Sequence, residues 1–449
     1  MNLLKGMTIA GVLATSLMGA AALAQEAVPT LRSVPAGTDV ATKPGAITLE
    51  RALVMAKKNN HGIAAQRAKL ASAQTAVETA WSTLFPTIAA QGKYTRNYKE
   101  ISFPVGGSPL LIQPENQLDL IGTGTVPILA PAAYPAINAV KANVKAAEAN
   151  YEVAEADIMV AVAKAYLAAA VSDEVLAARQ SSIDVARATL KNAQTRREAG
   201  TVTKVDVDRA ELAVVRAEQS ERDSRVAREN TYRALGTLIG IQGPFEIQPE
   251  IPTNPLPNPN DLNMALHLRP EFAAIEASIQ AAQKTATARA WQWAPTLSAF
   301  GNVRKFNYDN FVRDRYSWAA GAQLDWVLFD GGKRDAERHA ANAQAQEAEA
   351  QALGLRDRIR DDLLDSSAQY NVKKQGVEAA NRQVELARET LELVRVQYES
   401  GVGTQLDLLA AQDNVVIAHL GLAQAHFDVA AAELTLRHAA GTFPPKNLK

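Results

Sequence analysis

Apolar and polar positions along this chain follow two different rhythms. Over residues 48–82, 134–198, 203–239, 262–293, 333–399 and 404–440, small and apolar residues return every three or four positions. These segments read as six uninterrupted Ala-rich helices. In the first long one, Val140, Val144, Ala147, Tyr151, Ala154, Ile158, Ala161 and Ala165 form a heptad seam. In the last one, Leu406, Leu409, Asp413, Val416, Leu420, Ala423, Phe427, Ala430 and Leu434 form another, interrupted once by the polar Asp413. At 1.5 Å per residue the two long helices reach roughly 100 Å and the four short ones roughly 50 Å. Two short helices end to end match one long one, which predicts a rod or tube.

Between the helices the rhythm changes to two. Tyr316, Trp318, Ala320, Ala322, Leu324, Trp326 and Leu328 alternate with Ser317, Ala319, Gly321, Gln323, Asp325 and Val327. Leu118, Leu120, Gly122, Gly124 and Val126 alternate in the same way, and 87–102 and 296–308 read as their hairpin partners. Strands of about 10 residues with one apolar face and aromatic ends have the dimensions of an outer-membrane barrel strand. Four strands cannot close a barrel, for which about eight is a practical minimum. Two chains would supply eight and three would supply 12. The stretch Phe103–Pro109 reads as an exposed loop at a hairpin tip.

The chain also repeats itself. EAGTVTKVDVDRAE at 198–211 is answered by ESGVGTQLDLLAAQ at 399–412, and Trp81–Ile88 is answered by Trp291–Leu297. A period near 200 residues suggests duplication of a whole module. The boundaries expected are an extended N-terminal segment at 25–47, a first repeat at 48–242, a proline-rich linker at 243–260, a second repeat at 261–441 and a tail at 442–449. Gly200 and Gly401 are placed to end a helix in a left-handed cap. Thr203 and Thr404 follow as N-caps, with Asp206 and Asp407 three residues on, where a capping-box acid falls.

Composition narrows the function. The chain has 449 residues, a formal charge of −1 and no cysteine. Near-neutrality and the lack of a Lys/Arg-dense run argue against a nucleic-acid partner. Residues 1–24, with Lys5, the apolar run Met7–Ala20 and Ala22-Leu23-Ala24, read as a secretory signal peptide. No other segment is read as a transmembrane helix. An exported chain without disulfides relies on packing or oligomerisation. No catalytic set, cofactor motif or metal set emerges, so an enzyme is not expected. His419 and His426 lie a heptad apart without a third ligand, Asp361, Asp362 and Asp365 read as solvated helix surface, and Gly331-Gly332 reads as a strand-to-helix turn.

The duplication, the two strand pairs, LDWVLFDGGKR at 324–334 and the twin Gly-x-x-Thr-x-x-Asp turns resemble the TolC-type outer-membrane efflux proteins over nearly the whole mature chain. The resemblance implies an α+β membrane protein: a homotrimer whose 12-stranded β-barrel, four strands per chain, is continued by an α-helical coiled-coil tunnel across the periplasm. It implies a passive channel in the outer-membrane lipid, joined through a periplasmic adaptor to an inner-membrane pump for efflux or type I secretion. It places Asp206, Tyr398 and Asp407 at a gated periplasmic constriction, where crowded carboxylates would raise one another's pKa. It makes Gly200, Thr201, Gly401 and Val402 adaptor-contact tips. Two family positions differ: Gly403 stands where some members have Arg, and Ala410 where a second acid is expected. The alternative class is a soluble periplasmic coiled-coil adaptor or tether.

Overall fold

The computed structural model describes residues 46–105, 108–248, 255–308 and 314–445. The expected signal peptide at 1–24, nearly all of the segment at 25–47 and the last four residues lie outside the described residues. Chain order is α1 (Leu49–Asn59), α2 (His61–Ser82), β1 (Thr87–Arg96), β2 (Ile101–Val105), β3 (Ser108–Gln113), β4 (Asn116–Leu129), α3 (Ala133–Glu198), α4 (Lys204–Ile239), α5 (Leu262–Leu268), α6 (Pro270–Ala290), β5 (Thr296–Phe306), β6 (Tyr316–Asp325), α7 (Lys333–Glu399) and α8 (Gln405–Ala439). Helices α3 and α7, of 66 and 67 residues, are each about 100 Å long.

The expected helix at 48–82 is broken at Asn60, which caps both ways. Its Oδ1 accepts from the backbone N–H groups of Gly62 and Ile63, and its Nδ2 donates to the Leu238 carbonyl at 2.9 Å. One side chain therefore starts α2 and ties off the end of α4, satisfying donors and an acceptor that the helix ends leave free. The expected helix at 262–293 is likewise broken. That expectation overlooks Pro270, whose ring excludes a helical residue before it, so Arg269 is extended and α6 begins at Pro270. Trp291–Trp293 continue α6 as a 3-10 turn.

The two breaks serve one purpose. Gly240, at the end of α4 with φ 75°, lies against Asn59, and Gly441, just past α8 with φ 70°, lies against Leu268 and Arg269. In each half the returning helix thus ends where the opening helix breaks. A Cβ at Gly240 would come within 2.5 Å of the Asn59 Cβ, so the close approach demands glycine there.

The core sits at these junctions. Met159, Val162, Ala163, Tyr166 and Ala169 of α3 pack with Leu53 and Ala56 of α1, Ile63 of α2, Tyr232, Leu235 and Ile239 of α4, and Leu434 of α8. The Tyr166 hydroxyl lies 2.9 Å from the Ile47 carbonyl and also against that of Gln248. Ile47 and Ile247 form a parallel bridge, so the start of the proline-rich segment is anchored. A second cluster joins Ala265 of α5 to Ile359 and Leu363 of α7 and Leu436 and Ala439 of α8. Beside it Arg269, buried, pairs with Glu271 at 3.0 Å and Asp362 at 3.3 Å. Asp362 is therefore an ion-pair partner and not merely solvated surface.

The heptad seams need correction. In α3 the buried stripe runs through Ala139, Ala142, Ala146, Ala156, Met159, Ala163 and Tyr166, while Ala161 is exposed. In α8 it runs through Gln405, Leu408, Ala411, Ala418, Ala423 and Leu434, while Leu406 and Asp413 are exposed. Alanine is nearly everywhere on these helices, so spacing alone left the angular position of the stripe free. Helix α8 is also apolar and long enough, by composition, to cross a membrane. It packs lengthwise against α7 and also contacts α3.

The strands form one four-stranded sheet, β1-β4-β5-β6, antiparallel throughout, and a separate pair, β2-β3. The expected loop at Phe103–Pro109 is thus mostly strand, with Pro104 opposite Pro109; only 106–107 lie outside the described residues. Strand β1 stops at Arg96, short of 102, and β6 stops at Asp325, short of 328.

Candidate functional site

Two regions carry the chemistry: the sheet faces and the paired helical turns. Ladder register assigns each strand residue to a face. One face carries Ile88, Ala90, Tyr94, Leu118, Leu120, Val126, Ile128, Leu297, Val303, Tyr316, Trp318 and Leu324. Its large apolar residues are exposed, Ile88 at 89% and Trp318 at 69%, apart from the half-buried Leu297. The opposite face carries Thr87, Gln91, Lys93, Gln117, Asp119, Thr123, Thr125, Ser298, Asn302, Arg304, Ser317 and Gln323. Ile121, Phe300 and Phe306 also lie there, the Phe300 ring over Gly321, where a Cβ would come within 3.1 Å of it. An exposed apolar face opposite a polar one inverts the logic of a soluble sheet.

Aromatic residues mark both ends of the apolar face. Tyr94 and Tyr316 stand at the β2-β3 end, and Trp291, Trp293, Trp326 and Phe329 stand exposed near the helices. Between them β6 covers about 30 Å along the strand. A tilt near 40° would reduce that to a height of about 23 Å, close to the apolar band of a barrel in a membrane. The helix-side junction is fixed by Asp330. It accepts from the N–H groups of Gly332 and Arg334 and pairs with the Arg334 side chain at 2.7 Å. Arg334 also donates to the Val327 carbonyl and stacks 4.1 Å over Trp293. Gly331 and Gly332, at φ 72° and 87°, make the turn that their pairing suggested.

The helical turns match their sequence reading closely. Gly200 and Gly401 take φ 73° and 82°. The Gly200 and Thr201 N–H groups donate to the Arg197 and Arg196 carbonyls, and those of Gly401 and Val402 donate to Tyr398 and Gln397. Both turns are Schellman caps. Both capping boxes close: Asp206 Oδ2 accepts from the Thr203 N–H at 3.0 Å, and Asp407 Oδ2 from the Thr404 N–H at 3.3 Å. Gly200, Thr201, Gly401 and Val402 are all exposed, Val402 at 84%.

Asp206, Tyr398 and Asp407 are not bonded to one another. Each carboxylate is held by its own cap, and the Thr203 side-chain and backbone hydrogen bonds, with Arg209 nearby, hold the Asp206 carboxyl below its usual range within one chain. Tyr398 is buried and has a different partner. The Arg196 guanidinium lies 4.5 Å from its ring centroid and donates to its carbonyl at 3.2 Å. Arg196 belongs to the first hairpin and Tyr398 to the second, so this contact ties the two turns together. Position-by-position comparison of the copies sets Arg196 against Gln397, and that mismatch is the signal that could have found it.

Gly403 now has a physical reason. Its N–H shares the Gln397 carbonyl with that of Val402, and a Cβ there would lie 3.0 Å from the Tyr398 nitrogen. A side chain at 403 would require the turn to give by a few tenths of an ångström, and the contact seen between the hairpins is made by Arg196. His419 faces Arg388, whose Nη2 lies 3.0 Å from His419 Nε2; partial burial and that cation lower its pKa.

The family model for outer membrane efflux protein matches residues 52–241 and 262–442. The chain belongs to the outer membrane efflux protein family. It is 23% identical over 274 residues to outer membrane efflux protein BepC of Brucella suis, covering 60% of this chain and 59% of that one. It is 26% identical over 268 residues to alkaline protease secretion protein AprF of Pseudomonas aeruginosa, covering 56% of this chain and 54% of that one. The matched region thus spans less than two thirds of these relatives' own length. The fold is that of the outer membrane protein VceC of Vibrio cholerae, with a TM-score of 0.71 at 19% identity over 88% of this chain and 96% of that chain. In this efflux-family chain the open strand edges are β1 and β6, and the hairpin turns join α3 to α4 and α7 to α8.

Proposed function

We propose that this chain is the outer-membrane channel of a tripartite efflux or type I secretion system, a passive conduit closed by its periplasmic turns. The observation that carries this is the sheet: an apolar face with nothing over it and two unpaired edges. Strand β6 runs opposite to β1, so β6 of one copy laid beside β1 of the next continues an antiparallel ladder. A ring of copies then abolishes the edges. Three copies give about 12 strands, within the range of membrane barrels. The two halves, which pass through corresponding helices and strands, are read as a duplicated module.

Helices about 100 Å long continue the pore into the periplasm. At their far ends, Asp206, Tyr398 and Asp407 of each copy line the gate. Gly200, Thr201, Gly401 and Val402 offer small exposed surfaces to a periplasmic adaptor, through which an inner-membrane pump engages. Cargo follows from that pump: the relatives' names cover both efflux and protease secretion.

The test is fractionation with crosslinking. The full chain should stay with outer membranes after a carbonate wash, crosslink to a species of three chains, and give single-channel steps in planar bilayers. Release by the wash as a water-soluble monomer overturns the channel and favours the adaptor class.

A further inference from the structure

The ladder of the four-stranded sheet holds six charged residues: Lys93, Arg96, Asp119, Arg304, Lys305 and Asp325. Their faces are not random. Arg96 and Lys305 fall on the apolar face near its β2-β3 end, where long side chains can reach water. Lys93, Asp119 and Arg304 fall on the polar face and close together. Lys93 is directly opposite Asp119 across β1 and β4, and Arg304 is opposite Ile121 across β4 and β5, two ladder pairs on from Asp119 and so on the same face.

Asp119 is 1% exposed. Its Oδ2 accepts from Arg304 Nη2 at 3.0 Å and from Gln117 Nε2 at 2.7 Å, while its Oδ1 has no partner among the described residues. The Arg304 guanidinium is propped 4.9 Å over the Phe306 ring and keeps part of its surface open. Lys93 is exposed. One buried carboxylate is thus paired with Arg304 and lies across the ladder from Lys93, and both cations are more exposed than the carboxylate. Asp325, the remaining ladder charge on that face, is about 26 Å from Arg304 and about 33 Å from Asp119 along the strands, well beyond a Debye length of about 8 Å.

We propose that Lys93, Asp119 and Arg304 form a basic belt inside the barrel that favours anionic solutes, with Asp119 positioning Arg304. This rests on the trimeric channel reading, which makes the polar face the lumen. Two cations per chain against one carboxylate leave about three net positive charges around the ring, and a narrow low-dielectric wall focuses such a field. The belt lies toward the β2-β3 end, opposite the end that carries Asp206 and Asp407. A solute leaving the acidic mouth therefore meets a wall of opposite sign before it exits.

The experiment measures reversal potentials of the full chain in planar bilayers under a KCl gradient. Lys93→Gln and the double variant Lys93→Gln/Arg304→Gln should lower the chloride-to-potassium permeability ratio relative to wild type, by about twofold or more for the double variant. Asp119→Asn should move the ratio in the opposite direction. The acidic mouth is common to all variants and cancels in the comparison. Lys93→Gln, an exposed change, keeps the test open where the double variant fails to assemble. Channels that conduct normally with an unmoved ratio overturn the belt alone. A chain that gives no conductance either as wild type or with Arg196→Ala, which loosens the tie between the closing turns, overturns the channel reading and the belt with it.

Discussion

Replacing Arg196 with Ala removes a contact between the two hairpin turns without touching either capping box. Two interactions are lost: a guanidinium over the Tyr398 ring at 4.5 Å and a charged hydrogen bond to the Tyr398 carbonyl at 3.2 Å. The first is worth about 0.5–2 kcal/mol in a partly desolvated setting. The second, bonded to a charged group, is worth about 1.5–3 kcal/mol. The bond is long and the two terms share one side chain, so a combined loss of about 2 kcal/mol is the reasonable figure. If closure depends on this tie, 2 kcal/mol raises the open-to-closed ratio by about 30-fold per chain. Single-channel recording should show Arg196→Ala dwelling in higher-conductance states. Tyr398→Phe keeps both the ring face and the carbonyl, and no bond to the Tyr398 hydroxyl occurs among the described residues, so it should behave as wild type. An open Tyr398→Phe channel beside a silent Arg196→Ala channel would refute the reasoning.

Three further outcomes follow from named contacts. Asn60→Ala loses the N-cap of α2 and orphans the Leu238 carbonyl, and should cost about 2 kcal/mol and lower the melting temperature; an unchanged melt counts against the junction. The Asp206 carboxyl is held below its ordinary value of 3.8, so its cap contributes stability above that pH and loses it as pH falls through the folded value; the protection of the amides at 203–206, relative to their intrinsic exchange rates, should fall below about pH 4 in wild type, and Asp206→Asn should remove that change in protection. Trp318→Asp puts a charge on the exposed apolar face and should abolish recovery of the chain in carbonate-washed outer membranes, whereas Ser317→Asp on the other face should be tolerated.

The sequence by itself determined the period of the helices and of the four strands of the main sheet, and both helical turns, but it read β2 and β3 as an exposed loop. Period two with aromatic ends is a local property of the strands, and each Gly-x-x-Thr-x-x-Asp turn closes its hydrogen bonds within eleven residues, so nothing distant was needed to read either. Tertiary structure decided what depends on a neighbour. Asn60 interrupts a helix where the end of α4 arrives, 178 positions away in sequence, which no local pattern encodes; the break at Arg269 was legible locally in Pro270, and only the arrival of the end of α8 beside it was not. Alanine-rich helices present a small surface in every direction, so only packing against α4, α6 and α8 fixed which stripe of α3 is buried. Arg196 and Tyr398 lie 202 positions apart. Their meeting requires both long helices to end at the same level, a condition set by the joint folding of the two halves.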